Sequence, residues 1–435
     1  MMVQKIPKEI EALFDANWYL NEYTDVAASG IDPKSHFFNH GWSENRWPCF
    51  FEAIKLDQQL WTLESPSKTV HELETLLTSK SQLESGLAFW FLSRWFGSLG
   101  NWPQVKPYVQ KLLENKLALM LIRHEGPFLL AFSCFYELED LQSAKKLLES
   151  AEWQESHNKR LANSMLVEDE KVIDVINNIY LEEKLEGLLR SPQPLFNEIT
   201  VKYYNTPKSF WFKPLVSVIV PCFNAGTTLA VALKSLLNQS YEKLEVIVVD
   251  DASTENTEAE MRKAVGSDSR FKLIRLEQNG GTYNARNIGL RYARGSFITT
   301  HDADDWSHPR KIELQVLALK KNRQAKASIS HWVRCDEYLK FACWRMEDGW
   351  IHRNISSLMF RRDVHKKLGY WDNVAVNADT EYVERIIKQY GKQSIVDVLP
   401  SVPLAFGRKT ETSLTQSSFT HLRTQYKGVR KEYML

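Results

Sequence analysis

The chain has 435 residues, of which 43% are hydrophobic and 25% charged, and this composition excludes a wholly disordered protein. Its 55 Lys and Arg residues almost balance its 54 Asp and Glu residues, so the formal net charge is +1 and nucleic acid is not an expected partner. The length predicts two or three domains, each large enough for its own core.

No targeting signal is evident in the sequence. The first residues, MMVQKIPKEIEALF, lack the apolar core of a signal peptide, and no apolar run is long enough to cross a bilayer. The five cysteines contain no C-x-x-C pair, which predicts free thiols. We therefore expect a cytoplasmic protein. The basic segment HLRTQYKGVRKEYML (421–435) is expected either to contact anionic lipid at the inner face of the cell membrane or to form a solvated helix.

Residues 1–60 are predicted to form a small helical module. Gly30 is suited to end one helix, and Asp32 followed by Pro33 is typical of the start of the next. His36 and His40 have the i, i+4 spacing that can hold a metal on a helix. No third ligand is near them in the sequence, so packing or polar contact is the favoured role.

Residues 61–190 are predicted to be all-helical. Two segments, LGNWPQVKPYVQKL (99–112) and LEDLQSAKKLLESA (138–151), superpose at an offset of 39 residues. This weak repeat predicts either a short array of tetratricopeptide-like hairpins or an irregular bundle, and the sequence leaves both open. We expect that such a helical region could bind a protein partner.

The proline-rich segment 191–213 is predicted to be a linker to an α/β domain at 214–435. From VSVIV (216–220) onward, β-branched runs alternate with helical patterns. This order predicts a mostly parallel sheet with helices on both faces. Ligands of such sheets bind beyond the carboxyl ends of the strands.

Polar and acidic residues follow three of the predicted strands. PCFNAG (221–226) follows the first, DDAS (250–253) the second and HDADD (301–305) the fourth. Because carboxylates placed together repel each other, we expect a divalent cation among them. Asp305, the extra acid of the last group, is predicted to cap a helix that begins near His308.

Three ordered signatures resemble the family 2 glycosyltransferases of the GT-A fold. LVSVIVPCFNAG and LEVIVVDDAST resemble the family's first two strands and their turns, and NGGTYNARNIGLRYARGSFITTHDADD resembles its glycine turn, Ala-Arg-Asn helix and Asp-x-Asp element. The N-terminal string FDANWYLNEYTDVA resembles a module that recurs beside bacterial polysaccharide glycosyltransferases. The resemblance implies the GT-A fold for residues 214–435 and an inverting transfer from a nucleotide-diphosphate sugar, with a UDP-sugar favoured.

The resemblance also implies where the nucleotide base binds. In the family, the pocket after the first strand and an aspartate after the second hold the base. These features correspond to Pro221, Asn224, Asp250 and Asp251, and which aspartate meets the base is left open. Gly280, in the glycine turn, allows close approach of the backbone.

The Asp-x-Asp element implies the site of the diphosphate. Asp302 is expected to touch the ribose, and Asp304 to coordinate Mn²⁺ or Mg²⁺ on the diphosphate. Arg286 is expected to contact the nucleotide or to stabilise the acidic loop HDADD (301–305). A plain salt bridge to Asp302 or Asp305 is an equally good alternative.

The general base is implied to lie in the acceptor half of the site, which corresponds to residues 356–386. SSLMFRRDVHKKLGYWD (356–372) and NADTEYVERI (377–386) resemble the family's acceptor-side segments. By position the base is Asp379, with Glu381 as the alternative. A cap of the following helix is a further role for Asp379 and is compatible with catalysis.

The function implied is a metal-dependent transfer of a sugar to a hydroxyl of a glycan or lipid-linked acceptor in bacterial cell-surface polysaccharide biosynthesis. A sugar-1-phosphate nucleotidyltransferase of related fold would need a glycine-rich loop with Arg and Lys after the first strand, and PCFNAG has neither. A non-catalytic scaffold is the other alternative. Intact acids at 302, 304 and 379 argue against it.

Overall fold

The computed structural model of the protein describes residues 6–62, 66–191, 193, 195–201, 213–342, 346–409 and 433–434. The chain divides into two compact units, Met1–Trp153 and Gln154–Leu435. The first is helical and the second combines a mixed sheet with helices. The predicted order of a helical N-terminal region and an α/β domain is confirmed.

The first unit consists of short and medium helices. They are α1 (Lys8–Glu11), α2 (Ala16–Glu22), α3 (Thr24–Ser29), α4 (Pro33–His36), α5 (Glu52–Thr62), α6 (Ser67–Leu76), α7 (Gln82–Ser98), α8 (Trp102–Glu114), α9 (Lys116–Ile122), α10 (Gly126–Glu137) and α11 (Leu141–Leu148). Among the described residues, no single helix has the length and apolar character needed to cross a membrane, and α9 with α10 passes that test only as a pair bent by 115°.

Local chemistry explains the helix ends of the N-terminal module. Gly30 has a φ of +69° and ends α3, and the Asp32 carboxylate accepts a hydrogen bond from the Ser35 backbone N–H (2.8 Å) at the start of α4. The His36 Nδ1 lies 3.1 Å from the Tyr19 hydroxyl, and both side chains are buried. His36 therefore makes a polar contact within the module.

The internal repeat corresponds to two helical hairpins, α7 with α8 and α10 with α11. Gly100 (φ +70°) and Glu139 (φ +57°) occupy equivalent places in the two connections. Val105 and Ala144, which the offset of 39 residues matches, are both fully buried. These equivalences favour repeated hairpins over an irregular bundle.

Helices α12 (His157–Ser164) and α13 (Asp169–Glu182) group with the sheet, although the sequence assigned residues up to 190 to the helical region. The buried Tyr180 of α13 donates a hydrogen bond to the Pro403 carbonyl (2.8 Å), and its ring packs on that of His308. Such long-range contacts leave no local sequence signal. Residues 202–212 of the predicted linker lie outside the described residues.

The second unit contains six further helices and a nine-stranded sheet within the described residues. The helices are α14 (Gly226–Leu237), α15 (Thr257–Val265), α16 (Thr282–Tyr292), α17 (Lys311–Lys321), α18 (Arg362–Leu368) and α19 (Ala378–Tyr390). The strands are β1 (Val216–Cys222), β2 (Leu244–Asp250), β3 (Phe271–Arg275), β4 (Phe297–Thr300), β5 (Trp306–Ser307), β6 (Ala327–Cys335), β7 (His352–Arg353), β8 (Met359–Arg361) and β9 (Ile395–Arg408).

The strand order is β3-β2-β1-β4-β8-β6-β9-β5, with β7 paired to β6. Strands β1 to β4 form the predicted parallel part of the sheet. Strand β8 then runs antiparallel to both β4 and β6, whereas β9 is parallel to β6. The sheet is therefore mixed on the side beyond β4.

Apolar side chains alternate between the two faces of the parallel part. Val218 and Val220 of β1 pack in one cluster with residues of α14 and α17. Ile219, between them in sequence, packs in the opposite cluster with residues of α16 and α19. Because both faces are covered by helices, polar groups of this part meet solvent mainly at the strand ends.

We expect a fragment that begins at Gln154 to fold, and one that begins at Ser191 to lose at least about 3 kcal/mol of unfolding free energy, since it lacks the buried Tyr180 and the apolar face of α13. Urea unfolding followed by tryptophan fluorescence compares the two fragments. Equal unfolding midpoints would show that α12 and α13 are dispensable for this fold.

Candidate active site

The ends of β1, β2 and β4 meet at one edge of the sheet. The Asp251 backbone N–H donates to the Cys222 carbonyl (2.9 Å), and the His301 N–H donates to the Ile219 carbonyl (2.9 Å). These contacts bring the polar segments that follow the three strands together, as the strand order in the sequence predicted.

Asp250 and Asp251 are adjacent and buried, but their surroundings differ. One oxygen of Asp250, Oδ1, accepts from the Ser253 N–H (2.9 Å), while its buried Oδ2 has no hydrogen-bond partner among the described residues. The nearest cation to Oδ2 is Arg275, with Nε at 3.7 Å. Asp250 Oδ2 thus faces a cation but accepts no hydrogen bond among the described residues.

Asp251 is committed to the glycine turn. Its Oδ1 accepts from the Gly280 N–H (2.9 Å) and its Oδ2 from the Gly281 N–H (2.7 Å). Gly281 has a φ of +85°, a conformation that favours glycine, and it directly precedes α16. Asp251 therefore fixes the start of the helix that carries Arg286.

The loop after β1 is tied to the loop after β2 through Asn224. Its N–H donates to the Ser253 Oγ (2.9 Å), and its Oδ1 accepts from the Thr254 N–H (2.9 Å). Pro221 is held in β1 opposite Val249 of β2. Phe223, which lies between Pro221 and Asn224 in sequence, is half exposed. The sequence did not predict this exposure, because an aromatic residue next to a buried strand suggests a core position.

Arg286 joins the acidic loop to the acceptor half. Its side chain is 3% exposed, its Nη2 donates to the Asp302 Oδ1 (2.8 Å), and its Nη1 lies 3.8 Å from the Asp379 Oδ2. Burial opposes ionisation of Asp302, but the Arg286 guanidinium, together with a hydrogen bond from Ser356 and the charge of His301, lowers the pKa of the carboxyl. Of the two ion-pair partners considered from the sequence, the structure places Asp302, and not Asp305, on Arg286.

Asp304 lies in a different electrostatic environment from Asp302. Burial and the neighbouring Asp302 charge raise the pKa of Asp304 to about 6. Two arginines that no sequence pattern pointed to act in the opposite direction and lower this pKa: Arg334 near the end of β6 and Arg408 at the end of β9. Each lies more than twenty residues beyond the acidic motif, so only the register of β6 with β9 reveals them.

Asp305 does not cap the following helix, which corrects the prediction. Helix α17 begins at Lys311 after Arg310, without a side-chain cap. The Asp305 Oδ1 instead accepts from the Arg408 N–H (3.3 Å), and burial with the charge of Asp304 raises the pKa of Asp305. The buried acid is thus part of the link between the acidic loop and β9.

The acidic loop alone does not make a complete metal site. No group of three or more His, Cys, Asp or Glu side chains able to hold a metal ion occurs among the described residues. Asp302 and Asp304 offer the oxygen ligands that hard cations prefer, and Mg²⁺ is commonly held by one or two carboxylates together with substrate phosphates and water. The residues therefore fit a divalent cation that is shared with a bound diphosphate.

Asp379 and Glu381, the two candidate bases, have separate partners. The Asp379 Oδ1 accepts from the Tyr283 hydroxyl (2.9 Å) and the Thr380 N–H (2.9 Å), and Asn377, not Asp379, occupies the N-cap of α19. Glu381 forms a paired contact with Arg385, whose Nε donates to its Oε1 (2.9 Å). Only Asp379 shares the Arg286 guanidinium with Asp302.

Part of the chain is similar to known glycosyltransferases. Residues 217–372 match Glycosyl transferase family 2. An uncharacterised glycosyltransferase of Haemophilus influenzae is 39% identical over 109 residues, which are 25% of this chain and 44% of that protein. An Escherichia coli protein, UDP-Glc:alpha-D-GlcNAc-diphosphoundecaprenol beta-1,3-glucosyltransferase WfgD, is 41% identical over 108 residues, which are 25% of this chain and 42% of that protein. The match thus spans less than half the length of either relative.

Among solved structures, Staphylococcus aureus TarS in complex with UDP-GlcNAc is 21% identical, with a TM-score of 0.40, and the match covers 47% of this chain and 61% of that one. The family match begins in β1, includes the acidic loop and ends just before α19. The chain thus contains a Glycosyl transferase family 2 domain, at residues 217–372, that follows a helical N-terminal region.

Proposed function

We propose that this protein transfers a sugar, with inversion, from a nucleotide-diphosphate sugar to a hydroxyl of a glycan or lipid-linked acceptor in cell-surface polysaccharide biosynthesis. The observation that carries the proposal is the pairing of Arg286 with Asp302 on one side and Asp379 on the other. This pairing brings the Asp302 carboxylate, at the strand ends, next to the Asp379 carboxylate of the acceptor half. The E. coli relative, by its name, uses UDP-glucose and a lipid-diphosphate acceptor, which supports the choice of substrate class.

The donor's base is proposed to bind against Asp250 and Phe223. A uracil ring carries an N–H donor, and the Asp250 Oδ2, which accepts no hydrogen bond among the described residues, is the proposed acceptor for it. The half-exposed ring of Phe223 follows Cys222, which pairs with Asp250 in the sheet, so it offers a stacking surface at the same strand ends. This arrangement favours Asp250 over Asp251 as the residue that meets the base.

The diphosphate is proposed to lie over Asp304 and the two arginines at the ends of β6 and β9. Arg408 packs on the Phe196 ring (4.0 Å from the centroid) and donates to the Asn197 Oδ1 (2.6 Å), which holds its guanidinium in place. A divalent cation, when bound to Asp304, would neutralise negative charge on the departing diphosphate. Arg334 and Arg408 would add positive charge on the same side.

The acceptor hydroxyl is proposed to lose its proton to Asp379. As the acceptor oxygen forms its bond to the anomeric carbon, the bond from that carbon to the diphosphate breaks, and the diphosphate leaves with the electron pair. Attack on the face opposite the leaving group inverts the anomeric configuration. Arg286, held by Asp302 and near Asp379, keeps the base at a fixed place relative to the donor.

The proposal is tested by incubating the full chain with UDP-glucose, UDP-N-acetylglucosamine and GDP-mannose in separate reactions with Mn²⁺, with and without a short-chain GlcNAc-diphospholipid. We expect release of UDP from one of the UDP-sugars, and faster release with the lipid. If calorimetry detects binding of neither UDP nor GDP, the protein is not a nucleotide-sugar transferase.

Asp250→Asn is expected to weaken UDP binding by about tenfold or more, since the charged acceptor for the base is lost. Asp251→Asn is expected to lower the thermal midpoint instead, because one of its two bonds to the glycine turn is lost. Calorimetry and thermal unfolding of both variants measure the two effects. The opposite pattern would show that Asp251, and not Asp250, binds the nucleotide base.

Asp304→Asn is expected to abolish most of the Mn²⁺-dependent turnover while the thermal midpoint stays close to that of the parent, since the shape is kept and an anionic ligand is removed. A Mn²⁺ titration of UDP release provides the measurement. Asp363→Asn, an exposed carboxylate paired with Lys326, is the matched control and should leave the titration unchanged. Full metal-dependent activity in the Asp304 variant would contradict the assignment.

Asp379→Asn is expected to lower kcat by at least about a hundredfold with unchanged UDP affinity, because a positioned carboxylate base typically contributes ~10²–10⁴-fold. Glu381→Gln is expected to cost less than about tenfold, since Glu381 is paired with Arg385. Steady-state kinetics of the two variants decide between the acids, and a reversed ranking would move the base to Glu381.

A further inference from the structure

The buried tyrosine Tyr283 contacts the carboxylate that the proposed function uses as its base. It lies on α16, one turn before Arg286, and its side chain is 6% exposed. Its hydroxyl donates to the Asp379 Oδ1 at 2.9 Å. Burial and the neighbouring Asp379 charge raise the pKa of Tyr283, so the hydroxyl keeps its proton and acts as a donor.

The two oxygens of Asp379 are not equivalent. Oδ1 accepts from both the Tyr283 hydroxyl and the Thr380 N–H, whereas Oδ2 faces Arg286 at 3.8 Å, beyond hydrogen-bond distance. The side chain as a whole is 23% exposed. Oδ2 is therefore the oxygen that remains available for a further hydrogen bond.

The tyrosine ring is held by its packing. Tyr283 belongs to an apolar cluster that also contains Ala378 and Tyr382 of α19, the helix that carries Asp379. The Arg286 guanidinium lies over the Tyr283 ring, 5.3 Å from its centroid. The ring is thus buried within this cluster, and its hydroxyl reaches the Asp379 carboxylate of α19.

We propose that Tyr283 is a positioning residue that orients the Asp379 carboxylate and reserves its Oδ2 for the acceptor proton. The inference rests on the proposed role of Asp379 as the base. During transfer, the proton of the acceptor hydroxyl passes to Oδ2 while the acceptor oxygen bonds to the anomeric carbon and the diphosphate departs with the electron pair. Tyr283 keeps its own proton throughout.

The test compares Tyr283→Phe with Tyr382→Phe in the full chain. Each variant loses one buried tyrosine hydroxyl, but that of Tyr382 donates to the Gly369 carbonyl (3.2 Å) and not to Asp379. The probes are UDP-glucose and UDP-N-acetylglucosamine with Mn²⁺, and UDP affinity is measured by calorimetry. We expect Tyr283→Phe to lower kcat by about tenfold or more, with donor KM and UDP affinity within about twofold, and Tyr382→Phe to leave kcat within about twofold.

A double-mutant cycle separates this inference from the proposed base. In an Asp379→Asn background, Tyr283→Phe should cause no further loss, because the tyrosine acts through the carboxylate. An equal loss in both backgrounds, no loss in the parent, or failure of Tyr283→Phe to bind UDP would each overturn the positioning role. If Asp379→Asn alone retains parental kcat, the proposed base itself fails, whatever the tyrosine variant does.

Discussion

Arg286 is almost wholly buried, and a buried guanidinium is costly unless opposite charge or hydrogen-bond acceptors surround it. Asp302 arrives from the end of β4 and Asp379 from the first turn of α19, so one cation links two distant parts of the chain. The position of Arg286 depends in turn on α16, whose start is fixed by the bonds from the glycine turn to Asp251. Removing any of these carboxylates would leave a buried charge or a loosened helix start, and this dependence explains why the strand-end acids and the acceptor half form one site.

The sheet topology places positive charge next to the carboxylates at the strand ends. The parallel strands β2 and β4 deliver carboxylates to one edge, and a parallel sheet alone would leave that edge strongly negative. Beyond β4, the pairing of β6 with β9 places Arg334 and Arg408 near Asp304, and the backbone of Arg408 also bonds to Asp305. The mixed part of the sheet thus provides positive charge where the parallel part concentrates negative charge.

The sequence was sufficient for the parts of the structure that local pattern controls. Strands β1 and β2 are mostly apolar and are buried along their whole length. The rule that ligands bind at strand ends then located Asp250, Asp302 and Asp304 without coordinates. Tyr283 and Arg408 could not be found in this way, because their roles depend on contacts with residues far along the chain. The same reason explains the position of α13. A helical pattern identifies this helix, but long-range contacts, such as the hydrogen bond from Tyr180 to the Pro403 carbonyl, place it against the sheet. Asp305 was misassigned because an acid before a helix resembles a cap, whereas its partner is a backbone group of β9.

Asp302 and Asp304 belong to the same short loop, but their pKa values shift in opposite directions. The difference indicates how the loop accommodates its negative charge. Arg286 lowers the pKa of Asp302, so the protein itself compensates that carboxylate. The pKa of Asp304 is raised to about 6 by burial and by Asp302, since Arg334 and Arg408 offset only part of the repulsion. A cation bound at Asp304 would remove the remaining imbalance, and it would do so next to the place proposed for the donor diphosphate. The negative charge of Asp302 is thus compensated by the protein itself, whereas that of Asp304 would be fully compensated only by a bound cation. This is the arrangement expected if substrate and cation bind together.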